Sequence, residues 1–181
     1  GRHNIFNAAA AIAVSMEEGI PLRVIKSGIQ KFSGVGRRYE KHDLIINQKK
    51  VILIDDYGHH PLEIESNINA YKEEFPNKKV CMIFQPHRFS RTAQLFDDFV
   101  RVLNKTDLLI LLDIYSASEK PIRGIHSRTI AETIKQEGHK NVIYLKSHDD
   151  VNDLIIDKIE DFDILVTQGA GSVSKVCESI K

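Results

Sequence analysis

This sequence is short of cysteine, tryptophan and net charge. Of its 181 residues only Cys81 and Cys177 carry a thiol, tryptophan is missing, and 25 basic side chains balance 25 acidic ones. Cys81 falls inside an apolar strand-like run and Cys177 in a helix-like terminal segment, so both read as packing residues. A disulfide scaffold is thereby excluded, and a reducing, cytoplasmic setting is expected. Zero formal charge leaves no basic surplus for a polyphosphate backbone, so nucleic acid is not an expected partner. No apolar run approaches the roughly 18 residues that a bilayer span needs, and no membrane association is expected. No signal-peptide pattern opens the chain. Gly1-Arg2-His3-Asn4, without an initiator Met, reads as an interior segment, so the chain is expected to be a piece of something longer. Three catalytic signatures are also missing. No Gly-x-x-x-x-Gly-Lys-[Ser/Thr] loop occurs, so the chain is not expected to cradle a triphosphate in that manner by itself. There is no Gly-x-Ser-x-Gly elbow and no HExxH helix.

What is present is ordinary globular chemistry, 42% apolar and 28% charged, enough for one domain or one domain plus a fragment. Asn7 to Glu18 is alanine-rich and reads as a helix stopped by Gly19; Leu22 to Phe32 reads as a second, with Pro21 where a first turn tolerates it. Ser33-Gly34-Val35-Gly36 breaks the pattern. Leu44 to Ile46 and Val51 to Ile54 read as a hairpin around a polar turn. From there helix and strand alternate. Helices are expected over 61–75, 92–103, 127–137, 149–159 and 172–180, and strands over 79–84, 107–114, 141–145 and 163–166. Several strands are continuous apolar runs, Leu108-Leu109-Ile110-Leu111-Leu112 being the clearest, as parallel strands covered on both faces require. The expected fold is α/β: a Rossmann-like, doubly wound, mostly parallel sheet of about six strands flanked by helices. Tyr115 to His126 is the longest irregular stretch and a candidate mobile loop.

Chemistry concentrates behind two strands. Asp55-Asp56-Tyr57-Gly58-His59-His60-Pro61 follows Val51 to Ile54, at a strand's carboxyl end, where open α/β sheets place ligands. Asp56 suits a ribose diol and His59 a near-neutral hydrogen bond. The bland alternative is a polar strand end with one acid capping the next helix; a metal site is disfavoured because no third His or acid stands at ligand spacing. Gln85-Pro86-His87-Arg88-Phe89-Ser90-Arg91-Thr92 follows the next strand. Its two guanidiniums suit a carboxylate or phosphate, unless they simply pair with Asp97 or Asp98. Arg37-Arg38-Tyr39-Glu40 follows a glycine-flexed loop that lets an arginine reach a ligand, unless it pairs with Glu40. Gly169-Ala170-Gly171-Ser172 is a weak dinucleotide-loop signal, since the acid expected about 20 residues on lies beyond Lys181; close helix–strand packing is the expected role.

Together these segments resemble the C-terminal part of a Mur ligase over essentially the whole chain. Gly1-Arg2-His3-Asn4-Ile5-Phe6-Asn7-Ala8 resembles the family's GxHNxxNA segment at the end of its central ATPase domain. Arg38, in Gly34-Val35-Gly36-Arg37-Arg38-Tyr39-Glu40, stands at a shared junction arginine. The DDYGHHP and FQPHRFSRT segments resemble the branch that joins L-alanine to UDP-N-acetylmuramate at the start of peptidoglycan precursor synthesis. Two departures are Ser116-Ala117-Ser118-Glu119, where relatives carry Ala-Gly-Glu, and Leu62 in place of a threonine. The resemblance implies residues 1–33 as the tail of the ATPase domain and 34–181 as a closing domain. It implies ATP and Mg2+ as cofactors, with the Mg2+ sites mainly elsewhere, and as partners L-alanine, UDP-N-acetylmuramate and the remaining domains of the same chain. It places His3, Asn4, Asn7, Arg38 and Asp56 at the nucleotide, and Tyr57, His59, His87, Arg88 and Arg91 at the amino acid and acyl phosphate, with His59, Arg88 and Arg91 catalytic. The alternatives are the related ligase that reattaches a recycled tripeptide, or a non-catalytic Rossmann-type nucleotide- or anion-binding module.

Overall fold

The computed structural model describes residues 2–32 and 34–181, with side chains from residue 5 onward. The expectations at Gly1 and Ser33, and at the side chains of His3 and Asn4, therefore lie outside the described residues. The chain divides into two compact units, Gly1–Gly36 and Arg37–Lys181.

The first unit is a helix pair, α1 (Arg2–Glu17) and α2 (Leu22–Lys31). Alanine at positions 8–11 and 13 favours α1. Gly19, at φ 73°, ends it in the left-handed conformation that glycine adopts without a Cβ clash. Asn7 lies exposed on α1. In α2 only Ile25 is buried.

The second unit holds a six-stranded sheet in the order β1-β2-β6-β3-β4-β5. Its first strands, β1 (Glu40–Ile46) and β2 (Lys49–Asp56), form an antiparallel hairpin. Asn47 and Gln48 close it with φ 49° and 68°, the pair of positive angles that matches the twist of a two-residue hairpin turn. The remaining strands, β3 (Val80–Phe84), β4 (Leu108–Leu112), β5 (Val142–Leu145) and β6 (Ile164–Gln168), pair in parallel. This is the doubly wound α/β sheet expected.

Strand periodicity sorts the core into two layers. Ile54, Val80, Met82, Phe84, Leu109, Leu111, Ile164 and Val166 meet α3 (Pro61–Glu74), α5 (Phe96–Leu103) and α6 (Ser127–Gln136) on one face. Val51, Leu53, Cys81, Ile83, Leu108, Ile110, Leu112 and Leu165 meet α7 (Val151–Asp157) and α8 (Val173–Ile180) on the other. Each fully buried aliphatic or phenyl side chain contributes about 1.5–3 kcal/mol. Both cysteines are free and buried.

Two helices differ from expectation. The segment 92–103 is split: α4 (Phe89–Gln94) begins earlier and stops where Leu95 leaves the helical region at φ −115°. Leu95 and Phe96 pack against the core at that break. Likewise α7 ends at Asp157 and a 3₁₀ turn follows at Ile159–Asp161, with Ile159 and Phe162 buried.

From β2 the chain steps to β3, β4 and β5, then returns so that β6 fills the gap between β2 and β3. Asp56, Gln168 and Phe84 thus stand in register across three carboxyl ends. That reversal of strand order is the crevice where open α/β sheets bind ligands.

Candidate functional site

The loop leaving β2 is fixed by its acids. Asp55, 3% exposed, accepts from Arg37 Nε at 2.9 Å and from Thr167 Oγ1 at 2.9 Å. Asp56, 6% exposed, accepts the backbone N–H of Tyr39 at 2.8 Å on one oxygen and that of Gly58 at 2.7 Å on the other. A Cβ at Gly58 would lie 2.7 Å from Asp56 Oδ1 and 2.9 Å from Gln168 Nε2, so only glycine lets the chain turn this close to both. Glu63 Oε2 accepts the N–H groups of His59 and His60, and His60 Nδ1 accepts from Leu62, which completes a capping box at the start of α3. Burial pushes the Glu63 carboxyl up, but the N–H groups of His59 and His60 hold it below its ordinary value. The helix is capped by His60 and Glu63, not by either aspartate.

Arg37, not Arg38, is built into this frame. Beyond Asp55 it donates from Nη2 to the Gly169 carbonyl at 2.8 Å, and its guanidinium lies 5.4 Å from the Tyr57 ring centroid. Arg38 is exposed and has no ion-pair partner among the described residues. Glu40 accepts from the Arg37 backbone N–H rather than pairing with either guanidinium.

The loop leaving β3 carries cations. Tyr57, His59, His87 and Tyr115 form a continuous row of rings, with centroids 5.7, 5.3 and 5.5 Å apart and the last pair stacked. The two histidines present opposite polarity. His59 Nδ1 lies 3.2 Å from the Tyr57 carbonyl, which can only accept, so in neutral His59 the lone pair is on Nε2. His87 Nδ1 lies 3.3 Å from Arg91 Nη1, which can only donate, so in neutral His87 the proton is on Nε2. Burial, then the charges of His59, Arg91 and Arg88, push the His87 pKa below its ordinary 6.5. Arg91 also donates to the His87 carbonyl and pairs with no carboxylate among the described residues; Asp98 pairs with Arg101 instead. Arg88 is half exposed, and its only ion-pair partner among the described residues is Glu119 at 4.0 Å. Arg88 has φ 74° and ψ 136°, a conformation costing a non-glycine residue about 1–3 kcal/mol and tolerated where surroundings impose it.

The glycine-rich turn after β6 packs and does not cradle. Gln85, buried at the end of β3, accepts the Val173 N–H at 2.9 Å and so occupies the start of α8. A Cβ at Gly171 would run into Gln85 Oε1 and lie 2.7 Å from Tyr115 Cβ.

Of the residues singled out from the sequence, Asp56, Tyr57, His59, His87, Arg88 and Arg91 come together at this edge of the sheet. Sequence reasoning missed Arg37, Gln85, Tyr115 and Glu119. The signal for Tyr115 was its place just beyond a central strand. Among the described residues, no group of three His, Cys, Asp or Glu side chains could hold a metal ion, and no helix is long and apolar enough to cross a membrane.

A doubly wound sheet with histidines and arginines gathered at its switch point is an arrangement whose chemistry suits an anion or a nucleotide. Residues 37–171 match the family described as Mur ligase, glutamate ligase domain, and the chain belongs to that family. Among solved structures it is similar to the UDP-N-acetylmuramate-alanine ligase MurC of Thermotoga maritima, at 25% identity and a TM-score of 0.75, covering 99% of this chain and 37% of that one. A murein peptide ligase from Psychrobacter arcticus matches at 19% identity and TM-score 0.75, over 99% of this chain and 36% of its own. A folylpolyglutamate synthase from Thermotoga maritima matches at 21% and 0.59, over 99% and 39%. The last two share the fold. The chain spans little more than a third of the length of each of these proteins.

Proposed function

We propose that this chain is the C-terminal part of an ATP-dependent, amide-forming ligase that joins L-alanine to UDP-N-acetylmuramate through an acyl phosphate, in the cytoplasm. The observation that carries the reading is the set of His59, His87, Arg88 and Arg91, assembled at the switch point with Arg91 free of any described carboxylate. Such a set complements an amino acid's carboxylate and a negatively charged acyl phosphate. The identity to the alanine ligase and the two long signature segments favour L-alanine over a tripeptide.

ATP would be held in part by this chain, with the Mg2+ sites and the activation of the muramate carboxylate mainly on the rest of the protein. On this chain each oxygen of Asp55 and Asp56 accepts one hydrogen bond from within the domain, and both carboxylates are buried. Arg38, exposed and without an ion-pair partner among the described residues, suits a phosphate, and a spare lone pair on Asp56 suits a ribose hydroxyl; the family resemblance assigns His3, Asn4 and Asn7 to the nucleotide as well. Residues 1–33 would close the ATPase domain and residues 34–181 would close over its ligands. Arg88 and Arg91 hold the amino-acid carboxylate and the acyl phosphate, with Tyr57 beside them. His87 donates from Nε2. His59 takes one proton from the ammonium at Nε2, the amine attacks the acyl carbon, and phosphate leaves with the C–O electron pair and takes up the second nitrogen proton, which leaves the neutral amide. Closure supplies orientation and keeps water from the intermediate.

The test is phosphate release by the full-length protein with ATP and UDP-N-acetylmuramate. Release that depends on L-alanine is expected. Dependence on the tripeptide instead would make this the recycling ligase, and dependence on neither would leave a binding module. The isolated chain is expected to be inactive.

A further inference from the structure

We infer that Glu119 is a positioning residue for the amino-acid site: from the loop after β4 it locks Arg88 and the start of α4 in place. The inference rests on the functional reading above for what Arg88 does, but its geometry stands alone. Arg88 sits in a backbone conformation that side chains rarely adopt. Both of its peptide groups are pinned. Its N–H donates to the Tyr115 carbonyl at 2.8 Å, and its carbonyl accepts from the backbone and hydroxyl of Thr92 at 3.1 and 2.8 Å. The Tyr115 N–H returns to the Pro86 carbonyl at 2.8 Å, so the two loops are laced as a short parallel bridge.

Glu119 ties the second knot. Its two carboxylate oxygens accept the backbone N–H of Ser90 at 2.9 Å and the Ser90 hydroxyl at 2.7 Å, while Arg88 Nη1 lies 4.0 Å away. The chain reaches Glu119 through Ala117 and Ser118, both left-handed at φ 47° and 70°. Two strained segments therefore face each other, and one carboxylate joins them. Strain of this kind persists only where neighbours over-determine it. Without Glu119, the bonds to Tyr115 and Thr92 must hold the strained Arg88 without the tie at Ser90, so the start of α4 loosens and the guanidiniums of Arg88 and Arg91 lose their fixed position. Glu119 thus acts through Arg88 and touches no substrate. The irregular stretch 115–126 is, at its Tyr115–Glu119 end, an anchor for the site.

The test uses the full-length protein with Glu119→Ala and Glu119→Gln. Hydrogen–deuterium exchange of peptides spanning residues 86–94 should accelerate about tenfold or more in Glu119→Ala, the loss expected for a hydrogen bond to a charged group. The apparent KM for L-alanine should rise by a similar factor, with the KM for ATP and the melting temperature little changed. Glu119→Gln keeps an acceptor for Ser90 and should recover most of both effects. Faster exchange with no selective rise in the L-alanine KM would reduce Glu119 to a helix cap and overturn the inference, as would unchanged exchange. If the unsubstituted protein shows no L-alanine-dependent turnover, the functional reading falls and the positioning role falls with it. The exchange data would still report whether Glu119 holds Arg88.

Discussion

Between β2 and α3, the carboxylates look inward: the oxygens of Asp55 and Asp56 and one of Glu63 all accept hydrogen bonds from within the domain. Between β3 and α4, the charges are left open. Among the described residues, the Arg91 guanidinium bonds only to His87 and the Arg88 guanidinium has only Glu119 as an ion-pair partner. The two loops are neighbours across β6, yet one is closed on itself and the other is left open. A charged residue at a strand end is thus not by itself a ligand contact; what decides is whether its hydrogen-bonding capacity is already met.

The contrast breaks most visibly at Asp56. Asp56→Ala leaves the N–H groups of Tyr39 and Gly58 without partners, at about 1–3 kcal/mol for the buried one at Gly58, so the melting temperature should fall by several degrees. If Asp56→Ala melts normally and loses only ATP affinity, the aspartate serves the nucleotide and not the frame. Arg91→Ala should do the reverse in the full-length protein. Stability should change by less than about 1 kcal/mol, while the apparent KM for L-alanine rises about tenfold or more. Steady-state kinetics beside a thermal melt separates the two.

Protonation sharpens the same comparison. The Glu63 pKa lies below the ordinary 4.5, so its contribution is complete above that pH and is lost as pH falls through the folded value. Amide exchange at His59 and His60, corrected for its intrinsic pH dependence, should therefore show loss of protection only below about pH 4.5. The His87 pKa lies below 6.5. An NMR titration should place its midpoint under that value, whereas a midpoint above it would remove the neutral Nε2 donor. The smallest effect is expected at Ser118, whose left-handed backbone suits glycine. Ser118→Gly should stabilise the protein by about 0.5–1 kcal/mol, since relief of a left-handed Cβ clash outweighs glycine's added entropy; a denaturant melt showing destabilisation would mean that the serine side chain supports the loop.

The alternation of apolar runs with amphipathic stretches made the sheet and its flanking helices legible, because the period of side-chain burial is a local property. The strand-end clusters were legible for the same reason. What escaped was set by contacts far apart in sequence. Nothing local distinguishes Arg37 from Arg38; only the return of β6 brings Asp55 and the Gly169 carbonyl to one of them. The break at Leu95 interrupts an unbroken helical pattern because core packing overrides propensity there. Glu119 and Tyr115 lie in a stretch with no periodicity, and their roles exist only once that loop meets the one after β3.

The place of β6 in the sheet has a consequence for how the domain is made. Its neighbours β2 and β3 flank it but do not pair with each other, so the hairpin at one end and the three strands at the other remain separate until residues 164–168 arrive between them. On the ribosome, the hairpin and the β3–β5 strands can each collapse early, but they cannot join before residues 164–168 have emerged. Such late, long-range closure is slow to nucleate and exposes unpaired strand edges in the meantime. A chain cut between Leu112 and Ile164 should therefore yield two unjoined pieces of sheet and a protein prone to aggregate.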